Sequence, residues 1–216
     1  MRIALFGGTF DPPHRGHITI ARAAVDRFQL DSVLFVPAAQ QPLKRAHTVA
    51  PYADRMAMVT LACAADPHFI PSGLDAPHPD GTPNYTFQTL EALRRLEPSA
   101  ELFNLAGVDS FRTLGHWREP RRLLELAEWI VVSRPGLNLF GPDGTIVAPD
   151  SLPLSTHERT RIHPLDSVHE SISATALRER LEAGYSCEHL LPPGVATYIA
   201  EHSLYRRASP EPVTPQ

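Results

Sequence analysis

The sequence predicts a doubly wound α/β fold: a parallel sheet with helices on both faces and a small C-terminal helical part. Three observations predict it. Short apolar runs ("RIALFG", "SVLFVP", "ELFNLAG", "WIVVSRP") read as buried strands. Between them, apolar residues recur at three- and four-residue spacing, the mark of amphipathic helices. The first three elements form a βαβ unit over residues 2–37, which implies a parallel pair and a right-handed crossover.

Taken in order, "RIALFG" is the first strand, and Ile18, Ala21, Val25 and Phe28 mark a helix running from His17. "SVLFVP" is the second strand. "ADRMAMVTLACAA" and "TFQTLEALRRL" are helices, with Cys63 a small core residue in the former. "ELFNLAG" is a strand, "DSFRTLGHW" and "PRRLLELA" are short helices, and "WIVVSRP" is the next strand. Residues 136–160 are rich in Gly, Pro, Asp and Ser with little periodicity, and read as a surface excursion. "SISATALRERLEAG" has the Ser/Thr-rich start and Gly stop of a helix. "GVATYIAEHSLY" gives the last helix. Strands alternating with helices make the sheet Rossmann-like. Residues 1–205 are expected to form one domain and residues 206–216, "RASPEPVTPQ" and its preceding arginine, a disordered tail.

Composition narrows the partners. The chain has 216 residues and a net charge of −4, which argues against a general nucleic-acid binder. No apolar run approaches the roughly 18 residues needed to span a bilayer, and "MRIALFGG" is too short a run for a signal peptide. Cys63 and Cys187 are the only cysteines and lack metal-type spacing, so a reduced, cytoplasmic setting is expected. Lys44 is the single lysine.

The stretch after the first strand, "GGTFDPPHRGH", carries the chemistry. In an open α/β sheet ligands bind beyond the carboxyl ends of the strands. Gly7 and Gly8 permit close backbone approach, the N–H groups around Thr9 and Phe10 can face a phosphate, and the following helix start attracts an anion. The third glycine of the dinucleotide fingerprint and the Gly-Lys-Ser/Thr of a Walker loop are both missing. His14 and His17, three apart, can point at one ligand and donate hydrogen bonds to charge that accumulates in a transition state. The competing readings are a zinc site using Asp11, for which no third ligand stands at suitable spacing, and two surface histidines at a helix cap.

"GGTFDPPHRGH" resembles the signature of the nucleotidyltransferase superfamily, and "ISATALR", Ile172 to Arg178, resembles its second mark. The pairing favours function over a capped helix alone. Over about Arg2 to Tyr205 the chain is similar to the bacterial nicotinate-nucleotide adenylyltransferases, through "PNYTFQTLEALR", "LAGVDSFRTLGHW", "VVSRPG" and "GYSCEHLLPPGVATYI". The resemblance implies transfer of the adenylyl group of ATP to nicotinate mononucleotide, giving deamido-NAD and pyrophosphate, a step of NAD biosynthesis, with Mg²⁺ accompanying ATP.

It also implies roles. His14, His17 and Arg178 are the catalytic set; Gly8, Thr9 and Phe10 line the ATP loop, and Ser173 and Thr175 join Arg178 on the β and γ phosphates. Gly107 and Asp109 match the Gly-x-Asp that meets ribose hydroxyls, with Asp109 as a helix N-cap the plainer reading. Ser133 and Arg134 match the edge of the adenine pocket, where a guanidinium stacks; Arg134 before Pro135 is otherwise loop punctuation. On the acceptor side, Trp117 matches a ring that stacks on nicotinate (otherwise a core residue), Tyr85 and Thr86 open a helix toward its carboxylate, and Lys44 meets its phosphate. Pro42-Leu43-Lys44 departs from the family's usual Pro-Pro-His-Lys/Arg, and Arg45 or His47 are the residues placed to compensate. Protein ligands for Mg²⁺ and the oligomeric state are left open; neither nucleic acid nor membrane is an expected partner. The alternatives are pantetheine-phosphate adenylyltransferase, a nicotinamide-preferring enzyme, and a nucleotide-binding regulator without turnover.

Overall fold

The computed structural model describes residues 1–39, 50–133, 139–141, 145–166 and 172–206. Six parallel strands form one sheet in the order β3-β2-β1-β4-β5-β6: β1 Arg2–Gly8, β2 Ser32–Pro37, β3 Phe69–Pro71, β4 Glu101–Gly107, β5 Glu128–Val132 and β6 Ile162–Leu165. The order reverses between β1 and β4, whose carboxyl ends are Gly8 and Gly107. Ligands of doubly wound sheets sit at such a switch point.

Strand alternation builds two cores. Ile3, Leu5, Leu34, Val36, Leu102, Trp129 and Val131 face one side, and Ala4, Phe6, Val33, Phe35, Phe103, Ile130 and Val132 the other. Every residue of β2 is buried, as a central parallel strand requires. The helix α1, Arg15–Phe28, covers the second face through Ala21, Ala24 and Val25, with α2, Tyr52–Cys63, beside it through Val59 and Cys63. The first face is covered by α3, Thr86–Leu96, α4, Val108–Arg112, and α5, Pro120–Leu126. A third apolar cluster joins Met58 and Ala62 of α2 to Leu177 of α7, Ala174–Glu182, and to Val195 and Ile199 of α8, Pro193–Glu201. This is the predicted C-terminal helical part. Gly184, with φ of 79°, closes α7 in the left-handed conformation that glycine adopts without strain.

Three expectations need correction. The helix α1 begins at Arg15 with His14 as its N-cap, so His17 is its third residue. The strands β3 and β6 were not expected. The excursion over residues 136–160 is not confined to the surface: Leu139, Leu152 and Leu154 are buried in the first core, Phe140 bridges Ile146, and α6, Thr156–Thr160, forms there. The helix α6 is held by a capping box in which Ser155 Oγ accepts from Glu158 N while Ser155 N donates to Glu158 Oε2 at 2.7 Å. Arg121 Nη1 donates to the same carboxylate and holds it at about 2, well below the usual range.

Cys63 and Cys187 are both buried and free, and burial pushes the Cys63 thiol up to about 12, as befits a core residue. Among the described residues no helix is long and apolar enough to cross a membrane. The tail lies outside the described residues from position 207 onward.

Gly115, in the 3₁₀ turn Leu114–His116 that precedes Trp117, is among the described residues the glycine that packing demands most. A Cβ there would overlap the backbone oxygen of Asp150. Gly115→Ala is therefore expected to destabilise the fold by about 2 kcal/mol through overpacking. A thermal melt checks this, and an unchanged Tm would mean that residues 149–152 shift at no cost.

Candidate active site

Beyond the carboxyl end of β1 the chain turns sharply. Phe10 has φ of 49°, rare for a bulky residue, and its ring is buried against Phe6 and Phe35 at centroid distances of 5.5 and 5.6 Å. Gly8 makes room for that ring, since a Cβ at Gly8 would lie 3.2 Å from it. The loop therefore leads its backbone, rather than the Phe10 side chain, past the switch point and into the N-terminus of α1.

His14 and His17 stand one turn apart at that N-terminus, and their rings stack with centroids 3.7 Å apart. The backbone N–H of His14 donates to His17 Nδ1 at 3.1 Å. That bond makes Nδ1 an acceptor, so the neutral imidazole of His17 carries its proton on Nε2. The ring is also braced by Phe10 at 5.0 Å. The His17 ring is thus held from two sides in the structure. Among the described residues no group of three His, Cys, Asp or Glu side chains could hold a metal ion.

The second motif arrives from the far end of the chain. Ser173 caps α7, its Oγ accepting from Ala176 N. Arg178, one turn along, donates from Nη2 to Thr175 Oγ1 at 3.3 Å and from Nη1 to the Asp11 carbonyl oxygen at 2.8 Å. Its guanidinium is also 3.9 Å from Asp11 Oδ2. The fork is planar and its bonds to Asp11 and Thr175 fix its plane. Thus Arg178, with Thr175 bonded to its fork, reaches the first loop across a separation of 167 positions in the chain.

Two residues that sequence reasoning missed brace this junction. Tyr205 donates its hydroxyl to Asp11 Oδ1 at 2.6 Å, and burial together with that carboxylate pushes its phenol far up, so it stays a donor. Arg55, only 2% exposed, donates to the carbonyl oxygens of Thr9 and Ala38 at 2.8 Å each, of Ala50 at 3.1 Å and of Ala39 at 3.4 Å. A signal for Arg55 was present: it shares the apolar stripe of Met58, Val59 and Ala62, where a charge is out of place.

The remaining predicted residues divide. Gly107 ends β4 beside β1, and no heavy atom lies within 4 Å of a Cβ built on it, so space is open at the switch point. Asp109 is exposed and sits inside the first turn of α4, whose N-cap is Gly107; the N-cap reading of Asp109 is corrected. Ser133 follows β5 and donates from Oγ to Asp166. Trp117 is half-buried, one side edge-on to Trp129 at 6.1 Å and its Nε1 donating to Thr113 Oγ1 at 3.3 Å. Tyr85 is the N-cap of α3 and Thr86 its first residue. The Tyr85 N–H is met by Gln88 Oε1 at 3.2 Å and the Gln88 N–H by the Tyr85 carbonyl at 2.9 Å, so the amides of Thr86 and Phe87 are the ones at the helix start that the helix itself does not supply with a carbonyl. Lys44, Arg45, His47 and Arg134 lie outside the described residues.

Comparison with known proteins agrees with this architecture. Residues 5–180 match the cytidylyltransferase-like family. A Thermus thermophilus protein named probable nicotinate-nucleotide adenylyltransferase is 41% identical over 206 residues, covering 95% of this chain and 100% of its own. One of the same name from Corynebacterium kroppenstedtii is 38% identical over 208 residues, covering 94% of this chain and 90% of its own. The fold matches that of Plasmodium falciparum nicotinic acid mononucleotide adenylyltransferase complexed with NaAD, at 15% identity and a TM-score of 0.69 over 94% of this chain and 97% of that one. With its sheet order, its first loop and its second motif all in place, the chain belongs to the nicotinate-nucleotide adenylyltransferase family within the cytidylyltransferase-like proteins.

Proposed function

We propose that the protein transfers the adenylyl group of ATP to nicotinate mononucleotide, releasing pyrophosphate and forming deamido-NAD, a step of NAD biosynthesis. The observation that carries this reading is the bond from Arg178 to the Asp11 carbonyl, which supports both motifs acting on one triphosphate. An oxygen of the mononucleotide phosphate attacks the α-phosphorus of ATP, and the bond to the bridging oxygen of pyrophosphate breaks. No protein nucleophile is needed, so the work is positioning and charge stabilisation. The amides of the α1 start and of Thr9–Phe10 hold phosphate oxygens, and His14 flanks them. His17 donates from Nε2 to the charge that grows as the α–β bond breaks. Arg178, with Ser173 and Thr175, takes the β and γ groups through the N–H groups of its fork. Asp109 beside Gly107 suits a ribose diol, and Arg134 the adenine edge.

Trp117 offers an aromatic face for nicotinate, the α3 start at Tyr85 and Thr86 offers donors for its carboxylate, and Lys44 is assigned to its phosphate. A divalent cation, Mg²⁺ in this reading, would accompany ATP with substrate oxygens and water as its ligands, the usual preference of this ion, and would neutralise triphosphate charge.

Product analysis tests the reading. Enzyme is incubated with ATP and Mg²⁺ plus either nicotinate or nicotinamide mononucleotide, and deamido-NAD with pyrophosphate is expected from the first. ATP binding without product from either would instead identify a regulator. Arg178→Lys keeps the charge but loses the planar fork. It is expected to lower kcat/KM about tenfold, less than Arg178→Ala does, because the fork's paired hydrogen bonds give way to a point charge. Steady-state kinetics on the three proteins check this ranking, and negligible effects for both variants would reduce "ISATALR" to a capped helix.

A further inference from the structure

Arg55 does more than fill the core. Its guanidinium is buried, and the hydrogen bonds it makes among the described residues run to backbone carbonyls, while burial lowers its pKa and the Asp11 charge works the other way. Burying a cation this deeply is costly unless its donors are matched. Here they are matched by four carbonyls that belong to three separate stretches: Thr9 after β1, Ala38 and Ala39 after β2, and Ala50 before α2.

Peptide planarity gives the contact with Thr9 its consequence. The C=O of Thr9 and the N–H of Phe10 belong to one rigid unit and point in opposite directions. Holding the Thr9 oxygen from the Arg55 side turns the Phe10 N–H away from Arg55. The next residue is the strained one: Phe10 has φ of 49°, and a backbone in that region persists only where its surroundings fix it. Arg55 holds one side of the residue, and the packing of the Phe10 ring against Phe6, Phe35 and Gly8 holds the other. A second plane extends the clamp. Arg55 takes the Ala38 oxygen from the same Nη1 that holds the Thr9 oxygen, both at 2.8 Å.

We infer that Arg55 is a positioning residue of the transfer reaction, holding the Thr9–Phe10 peptide with its N–H presented to the phosphates of ATP. The inference rests on the proposed adenylyl transfer for its readout in turnover, but ATP binding alone also reports it. Lysine at this position keeps the charge and loses the fork, so it cannot span carbonyls on three stretches at once.

The test compares Arg55→Lys and Arg55→Met with Met58→Ala, which removes core volume from the same helix without touching the loop. Far-UV circular dichroism and melts identify folded variants. Steady-state kinetics with ATP and nicotinate mononucleotide, and equilibrium titration with ATP and Mg²⁺ alone, give the constants. The expected result is a loss of about tenfold or more in ATP binding and in kcat/KM for ATP in Arg55→Lys, since a displaced donor misaligns the phosphates. Met58→Ala should lose Tm while keeping its ATP constants.

A folded Arg55 variant with ATP constants within about twofold of wild type overturns the inference, as does a Met58→Ala protein that shows the same ATP-selective loss. If neither Arg55 variant folds, Gly8→Ala takes their place, because its added methyl presses on the Phe10 ring and disturbs the same peptide from the other side. Unchanged ATP binding in Gly8→Ala would then overturn the inference. Failure of the wild type to make deamido-NAD would instead count against the proposed reaction, leaving the ATP titration to decide the role of Arg55.

Discussion

Replacing His17 by alanine is expected to lower turnover by about 10²- to 10³-fold, the scale of removing one oriented donor from developing charge. The geometry says why the loss should fall on turnover more than on affinity. His17 is held by the His14 N–H on Nδ1, by the stacked His14 ring at 3.7 Å and by Phe10 at 5.0 Å. The ring is held before substrate arrives, so in the proposed role the stabilisation costs little rearrangement as the α–β bond breaks. Ground-state binding has other sources, because the α1 amides and helix dipole remain in the variant. ATP affinity is thus expected to change by only about threefold, roughly what losing one of several phosphate contacts costs. Steady-state kinetics with an ATP titration separate the two quantities. Near wild-type turnover in a folded His17→Ala protein would mean that the first motif only binds. A zinc site would show itself differently, as bound metal in the purified protein that the same substitution removes.

What the sequence made legible, and what it hid, follows from the signal each element carries. The central strands are continuous apolar runs, and the helices between them keep their three-and-four spacing, so their types were readable. The edge strands β3, Phe69–Pro71, and β6, Ile162–Leu165, were not. Each is short and contains a proline, Pro71 and Pro164, which argues against a strand read in isolation. At a sheet edge proline is tolerated, because its missing N–H can face outward, and those are the positions these strands hold. Burial of Leu139, Leu152 and Leu154 left no trace because an irregular segment has no period to detect.

The site shows the same division. Glycines, histidines and the Ser/Thr/Arg run announce themselves by residue type and spacing. The bonds that assemble them join Asp11 to Arg178 and Tyr205, and Arg55 to Thr9, across long stretches of chain. No local pattern reports such pairs. Asp11 illustrates this best: in the sequence it was a candidate zinc ligand in a competing reading, whereas in the fold it is a buried acceptor that ties the C-terminal segment to the loop after β1.

The enzyme is expected to prefer nicotinate mononucleotide to nicotinamide mononucleotide by about 10²-fold or more in kcat/KM. The two acceptors share their phosphate, ribose and ring, so Lys44, Asp109 and Trp117 have little with which to tell them apart. They differ in a carboxylate against a neutral amide, and the group assigned to that difference is the start of α3. Its first amides, at Thr86 and Phe87, are donors with the positive end of the helix behind them. The Tyr85 N–H already has an internal partner, the side-chain carbonyl of Gln88 at 3.2 Å. That partner is itself a carboxamide. Nicotinamide arriving there exchanges one amide oxygen for another and gains little, while its NH₂ group must turn toward a donor. Nicotinate displaces Gln88 with a charged acceptor, gaining charge-assisted bonds and the dipole together. A desolvated donor left unpaired costs roughly 1–3 kcal/mol, and loss of charge assistance adds to it, which reaches the expected ratio. Measuring kcat/KM for both mononucleotides at equal ATP decides the matter. Parity, or a preference for the nicotinamide form, would show that the start of α3 does not receive the carboxylate.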